Sequence, residues 1–95
     1  MYEVVIKPEL KPLFDDLKDN NPKAYQNLKK KIDQIAKILE FNPDHCKPLR
    51  APLQMYKRVH VSKSFVLIFK VDKINKVMEI YDYNHHDKIY KKSYE

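Results

Sequence analysis

The sequence MYKRVHVSKSFVLIFKV at residues 55–71 holds the clearest structural pattern of this chain. Polar and apolar residues alternate over residues 55–61, which predicts a β-strand with one covered face. Residues 64–71 are apolar without alternation at their centre, which predicts a strand covered on both faces and therefore central in its sheet. Residues 76–83 form a third strand-like run, and both connections are short enough for hairpins. We therefore expect the three strands to form an antiparallel meander.

The N-terminal half changes to helical periodicity after a short predicted strand at residues 2–6. Apolar residues spaced three and four apart predict an amphipathic helix over residues 8–18 and a longer helix from Asn21-Pro22 to about residue 41. The order of elements is β-α-α-β-β-β. This order predicts an α+β fold in which an antiparallel twisted sheet packs against an N-terminal helical hairpin.

Length and composition restrict the class of protein. A chain of 95 residues with 43% hydrophobic residues is expected to form one domain over residues 1–95. No apolar run approaches the roughly 18 residues of a membrane span and no secretion signal is recognisable, so we expect a cytoplasmic protein with no membrane partner. Cys46 is the only cysteine, which favours a free thiol over a disulfide, zinc or redox site.

The formal net charge of +6 is concentrated in the second half of the chain. Residues 1–43 carry eight Lys/Arg against seven Asp/Glu, a balance of +1, whereas residues 44–95 carry eleven against six, a balance of +5. Residues 45–71 contain six basic residues and no acidic one. Such a block favours binding of phosphate or of an acidic protein, although a solvated lysine-rich surface has the same composition.

Strand alternation places Tyr56, Arg58 and His60 on one face of the strand at residues 55–61. If the apolar residues of that strand face the helices, these three side chains form an outward-facing row. The guanidinium of Arg58 disfavours a second positive charge nearby, so His60 is a candidate general base. A surface histidine with no catalytic role is the alternative.

The segment NHHDKIY at residues 84–90 brings two histidines and an aromatic residue together. Tyr90 lies four residues after His86 and shares its face if the tail is helical. A neighbouring carboxylate, Asp82 or Asp87, favours a protonated histidine, which makes His86 a candidate general acid. Adjacent histidines are a poor metal signature, and no phosphate-binding glycine loop or nucleophile elbow is present. We therefore expect neither a cofactor nor covalent catalysis.

Four features together resemble the RelE/ParE superfamily of toxins from type II toxin–antitoxin modules, and are nearest its YafQ-like branch. They are the order of elements, Lys47-Pro48-Leu49 before the sheet, the hairpin at residues 55–72, and the tail histidine with its aromatic residue. The resemblance implies a fold of the microbial RNase type. It also implies cleavage of mRNA, typically on the ribosome, and neutralisation by a cognate antitoxin protein.

Individual positions match the YafQ-like branch. His60 falls on a histidine of the second strand, and His86 and Tyr90 fall on the histidine and the aromatic residue of the tail. Lys47 stands where that branch has a histidine before Pro-Leu. The resemblance implies that Tyr90 stacks on a base of the RNA. Further candidate RNA contacts are basic or aromatic residues near this set: Arg50, Lys57, Tyr56, Lys63 and His85.

The chain departs from the superfamily at Val66, where RelE-type members carry an arginine, and at Arg58, where YafQ-like members carry an acidic residue. The resemblance implies metal-independent attack of the substrate 2′-hydroxyl on the adjacent phosphate. His60 would be the base and His86 the acid. Lys47 and Arg58 would stabilise the developing phosphoryl charge.

Two other functions are compatible with the same resemblance. A ParE-like toxin would bind DNA gyrase without catalytic residues, and would block supercoiling rather than cut mRNA. A catalytically inert homologue would only bind an acidic antitoxin, and would tolerate mutation of His60 or His86.

Overall fold

The computed structural model of the chain describes residues 2–48, 55–85 and 88. The strands and helices, in chain order, are β1 (Glu3–Ile6), a 3-10 turn (Pro8–Leu10), α1 (Lys11–Asn20), α2 (Pro22–Phe41), β2 (Lys47–Pro48), β3 (Tyr56–His60), β4 (Phe65–Asp72) and β5 (Val77–His85). The predicted α+β class and the predicted order are confirmed. The two-residue strand β2 is an addition that no sequence pattern indicated.

The helical hairpin depends on the single residue between its helices, Asn21. The Asn21 N–H donates to the carbonyl of Leu17 at 2.8 Å, which ends α1, and the Asn21 side chain accepts from the Ala24 N–H at 3.3 Å, which caps α2. α2 buries the predicted apolar stripe, which consists of Leu28, Ile32, Ile35 and Leu39. Neither helix has the length and apolar character that a bilayer span requires, as far as the described residues go.

The five strands form one sheet in the order β1-β5-β4-β3-β2. Strands β3, β4 and β5 pair antiparallel, which confirms the predicted meander. The prediction of a wholly antiparallel sheet needs one correction, because β1 pairs parallel with β5. Parallel pairing needs a long connection between the two strands, and the two helices that follow β1 belong to that connection. β5 can accept β1 because β4 occupies only one of its two edges, whereas the outer edge of β3 pairs with β2.

The two faces of the sheet have separate apolar clusters. On the face that carries the helices, Leu67, Phe69, Met78 and Ile80 join the helical side chains in the main core. On the opposite face, called the outer face below, the buried residues are Tyr56, Val66 and Ile68. Since β4 contributes to both clusters, it is covered on both faces as predicted.

A β-bulge in β5 changes which residues lie on the outer face. The register between β4 and β5 shifts at Ile68/Phe69, which pair with Asp82 and Ile80, so Tyr81 is the extra residue. Tyr81 packs against the outer-face cluster, and Asp82 shares the face of its partner Ile68. Without the bulge, continued alternation from Ile80 would direct Asp82 towards the helices.

The turn between β4 and β5 forms without glycine, which the chain lacks. The Asp72 carboxylate accepts hydrogen bonds from the backbone N–H groups of Ile74 and Asn75 at 3.1 and 3.0 Å. Lys76 closes the turn at φ 55°, in the left-handed region that residues with a Cβ adopt at a cost. The turn therefore carries backbone strain at Lys76.

Candidate functional site

The predicted row on β3 lies on the outer face of the sheet. Arg58 and His60 pair with Ile68 and Val66 of β4, two residues of the outer-face cluster. His60 is exposed and Arg58 is half-buried. The row thus presents an exposed histidine to solvent next to an arginine that is half-buried as a residue.

Tyr56 shares this face but does not point into solvent, contrary to the expectation of an outward-facing row. It is only 4% exposed, and its ring meets that of Tyr81 edge-on at 4.9 Å between centroids. The Tyr56–Tyr81 pair covers part of the outer face next to Arg58. Tyr56 therefore has a packing role in addition to any contact with a ligand.

Tyr81 is an outer-face residue that the sequence analysis did not identify. The Nζ atoms of Lys7 and Lys70 lie 5.1 and 6.0 Å from its ring centroid, within cation–π range. A side-chain hydrogen bond with Glu79, burial and the proximity of the Tyr56 hydroxyl raise the pKa of Tyr81 to about 12. The phenol therefore keeps its proton further into the alkaline range than an ordinary tyrosine does. Strand alternation from Ile80 already directs this ring to the outer face, whereas its contact with Tyr56 depends on the pairing of β3, β4 and β5.

Lys47 enters the site through backbone pairing. In the short β2–β3 ladder, Lys47 is the register partner of Arg58. The predicted catalytic and RNA-binding residues Arg50, His86 and Tyr90 lie outside the described residues. The structure thus brings Lys47, Arg58 and His60 together along β2 and β3. For Lys47 this statement concerns the position of its backbone opposite Arg58.

Lys57 lies on the helix-covered face, because strand alternation turns it away from its neighbours Tyr56 and Arg58. Its Nζ donates to the Pro43 carbonyl at 2.9 Å and lies 4.0 Å from the Asp44 carboxylate. Its side chain is 13% exposed, and burial lowers the pKa of the amine. Lys57 thus connects β3 to the loop after α2 and does not share the surface of His60.

The remaining predicted contacts lie around the end of the sheet where β3 stops. Lys63 is exposed in the turn between β3 and β4. His85 is half-buried, and its ring contacts Phe65 edge-on at 5.9 Å. Phe65 in turn stacks on Tyr83, a residue of the main core, so His85 lies on the helix-covered face rather than beside His60. The sequence pattern indicates Phe65 only as a residue of the central strand, not as part of an aromatic group.

Two other features of the described residues are separate from this site. Cys46 is buried, and burial raises the pKa of its thiol, which disfavours the reactive thiolate. No cluster of three or more His, Cys, Asp or Glu side chains suited to a metal ion occurs in the part of the chain that the structure describes. An open cleft of about 830 Å³ lies beside the β4–β5 turn, at the opposite end of the sheet from His60.

Comparison with known proteins gives a match over most of the chain. The family described as the ParE toxin of the type II toxin–antitoxin system parDE matches residues 6–90. A Methanocaldococcus jannaschii protein with the provisional name toxin RelE4 is 45% identical over 92 residues, which cover 97% of this chain and 94% of that protein.

Solved structures share the fold at low sequence identity. The YoeB-YefM toxin–antitoxin heterotetramer from Staphylococcus aureus contains a chain with a TM-score of 0.66 and 15% identity, over 90% of this chain and 98% of that one. YafQ from Escherichia coli has a TM-score of 0.63 and 15% identity, over 95% of this chain and 99% of YafQ. These similarities confirm the predicted fold.

Proposed function

We propose that this chain, which belongs to the ParE toxin family of type II toxin–antitoxin systems, is an mRNA endoribonuclease. The observation that carries the proposal is the arrangement on β3, where exposed His60 and half-buried Arg58 share the outer face. An imidazole can move a proton, and a guanidinium beside it can neutralise phosphate charge. Those are the two tasks that cleavage of an RNA phosphodiester requires when the nucleophile belongs to the substrate.

The proposed reaction uses the 2′-hydroxyl of the RNA. His60 accepts the proton of that hydroxyl, and its oxygen attacks the adjacent phosphorus to form a 2′,3′-cyclic phosphate. The bond from phosphorus to the 5′-oxygen breaks, and His86 gives that oxygen a proton. After this step His60 holds the extra proton and His86 lacks one, and proton exchange with solvent water restores both histidines.

Arg58 and Lys47 are the proposed stabilisers of charge on the phosphoryl oxygens. Arg58 is half-buried, and a partly desolvated cation interacts more strongly with developing negative charge than one in bulk water. Tyr90 is proposed to stack on a base, with Arg50 and Lys63 contacting the RNA backbone. The proposed setting is ribosome-bound mRNA in the cytoplasm, where its cleavage would inhibit translation.

The proposed protein partner is a cognate antitoxin. A solved complex of similar fold pairs the toxin YoeB with YefM. The basic, acid-free stretch at residues 45–71 in this chain offers charge complementarity to an acidic antitoxin segment. An antitoxin that covers the outer face would keep RNA away from His60.

The test is inducible expression in a bacterial host, with growth and the 5′ ends of cellular mRNA measured together. His60→Gln is compared with His45→Gln, an exposed histidine in the loop after α2. Wild type and H45Q should arrest growth and cut mRNA within translated frames, whereas H60Q should reduce cutting by about a hundredfold or more. Cutting by H60Q at the wild-type rate would refute the role of His60, and His86→Ala tests the proposed acid in the same assay.

A second candidate function is inhibition of DNA gyrase. The match to the ParE toxin family favours it, as does Val66, which is fully buried at the β4 position where RelE-type members carry an arginine. The same expression experiment separates the two candidates. Growth arrest with relaxed plasmid DNA and intact mRNA would favour the gyrase inhibitor. Absence of any arrest would favour an inert protein that only binds an antitoxin.

A further inference from the structure

Four aromatic rings contact one another in a chain at the end of the sheet that lies nearest to His60. We name this group, Phe14, Phe65, Tyr83 and His85, the aromatic shelf. Phe65 and Tyr83 are nearly parallel, with centroids 5.2 Å apart and an angle of 24° between the rings. Phe14 of α1 supports Tyr83 edge-on at 6.5 Å, and His85 meets Phe65 edge-on at 5.9 Å. The shelf is therefore anchored to the main core through Phe14 and Tyr83.

Exposure is very uneven across the shelf. Phe14 and Tyr83 are 7% and 6% exposed, whereas Phe65 is 37% exposed. The backbone of Phe65 is fixed as well, because its carbonyl accepts a hydrogen bond from the Val61 N–H at 3.0 Å. Phe65 is thus a rigid, partly exposed ring backed by a second ring. An aromatic ring held in this way is a suitable surface for a nucleobase, since every base has a π-face to stack on it.

The surroundings of Phe65 suit a nucleotide better than an apolar ligand. β3 ends at His60, β4 begins at Phe65 and β5 ends at His85, so three strand ends meet at one edge of the fold. The turn between β3 and β4 presents exposed Lys63, two residues before Phe65. The stretch of residues 45–71, to which Phe65 and Lys63 belong, contains no acidic residue. The edge therefore combines a stacking surface, a cation and a partly buried imidazole.

We propose that Phe65 is the stacking platform for one unpaired nucleobase of a single-stranded RNA, with Lys63 at the adjacent phosphate and His85 at the edge of the base. This assignment rests on the proposed function, because it takes RNA as the ligand. A base on Phe65 would lie at the same sheet end as His60, so the RNA would cross the end of β3 and reach the outer face. The platform would hold a nucleotide next to the one that is cut.

The absence of tryptophan from the chain permits a direct optical test. Phe65→Trp introduces a single indole at the shelf, and Phe41→Trp introduces one at an 88% exposed phenylalanine at the end of α2, as the matched control. The probe is a 2′-O-methyl oligonucleotide of about eight nucleotides, which binds but cannot be cut by 2′-hydroxyl attack. The expected result for F65W is saturable quenching of the indole that is lost with an abasic oligonucleotide. F41W should show no saturable quenching.

A second pair of variants keeps the test decisive if F65W folds poorly. Phe65→Leu retains an apolar side chain but removes the ring, and should weaken binding of a labelled 2′-O-methyl oligonucleotide by roughly tenfold or more, as measured by fluorescence anisotropy. Phe41→Leu should bind as wild type does. Equal affinity of F65L and F41L, or equal quenching of F65W by normal and abasic oligonucleotides, would overturn the platform. Because the probe cannot be cleaved, loss of the nuclease proposal alone would leave these binding results unchanged.

Discussion

The two faces of the sheet share the same strands but differ in chemistry. The helix-covered face packs Leu67, Phe69, Met78 and Ile80 against the helices. The outer face has a smaller apolar cluster and carries the charged or polar side chains of Arg58, His60 and Asp82. One strand, β4, supplies buried residues to both faces. The helix-covered face therefore supplies most of the apolar packing, and the outer face carries polar side chains above a smaller apolar cluster.

The largest expected effect is on the helix-covered face. Phe69→Ala removes a fully buried ring from the main core and should lower the free energy of unfolding by about 3–5 kcal/mol. Ile68→Ala, its fully buried neighbour on the outer face, should cost less, about 2–3 kcal/mol, because its cluster is smaller. Urea denaturation of both variants measures the difference. Equal losses would mean that the two faces contribute equally to stability.

The next effect concerns activity rather than stability. Arg58→Gln should reduce mRNA cleavage by about a hundredfold, since it removes a cation proposed to stabilise phosphoryl charge. Urea denaturation and RNA cleavage by the purified protein are measured on the same preparation. A loss of activity that merely follows a loss of folded protein would contradict the division between the two faces.

Lys57 tests the helix-covered side of the same strand. Lys57→Met leaves the Pro43 carbonyl without its donor and should cost about 1 kcal/mol of unfolding free energy. RNA cleavage per folded molecule should not change. Lys63→Met, at an exposed lysine of the next turn, is the control for stability and should leave it unchanged. If K57M loses cleavage while remaining folded, Lys57 belongs to the functional surface after all.

Tyr81 should make the outer face sensitive to alkaline pH. Its pKa is raised from 10.0 to about 12 in the folded protein, so the folded state keeps a proton that the unfolded state loses. This contribution to stability is complete below pH 10 and declines as the pH rises to about 12. Tyr81→Phe should therefore flatten the fall in stability between pH 10 and 12. The control is Tyr25→Phe on α2, and an identical alkaline profile for Y81F and wild type would contradict the assignment.

The smallest expected effect lies in the β4–β5 turn. Lys76→Gly relieves the left-handed backbone at φ 55° and should raise the unfolding free energy by about 0.5–1 kcal/mol. Lys73→Gly, in the same turn, supplies no such relief and should not stabilise the protein. Thermal unfolding distinguishes the two, and stabilisation by both variants would argue against strain at Lys76. Neither change should affect the outer face.

The predicted superfamily, α+β class and meander are confirmed. They could be predicted because they depend on sequence patterns that extend over only a few residues. Asn21-Pro22 marks the start of α2, and the unbroken apolar run in β4 marks a strand covered on both sides. The helical spacing of apolar residues and the two-residue alternation of strands follow from backbone geometry alone. The assignments of Arg58 and His60 to one face of β3 followed from the same alternation.

The site residues that escaped sequence analysis depend on contacts between distant segments. Tyr81 joins the site when the pairing of β3, β4 and β5 brings its ring onto Tyr56. Phe65 becomes a shelf residue only when β4 and β5 place it on Tyr83 and His85. The catalytic roles of Lys47, His60 and His86 remain predictions, as do those of Arg58 and Tyr90. Strand alternation alone predicts that Lys57 and Arg58 lie on opposite faces of β3. The hydrogen bond from the Lys57 amine to the Pro43 carbonyl is visible only in the tertiary structure.

Periodicity and capping in the sequence were sufficient to predict the helices, every strand except β2, the central position of β4 and the shared face of Arg58 and His60, because these patterns act over a few residues. Three features are settled only by tertiary packing: β1 joins parallel to β5, a bulge keeps Asp82 on the outer face, and an aromatic shelf forms on the helix-covered face at the sheet end where β3 stops. The physical reason is the range of the interactions. Pairing register and ring stacking are set by side chains far apart in the chain, and they become defined only when the sheet and the helices pack together.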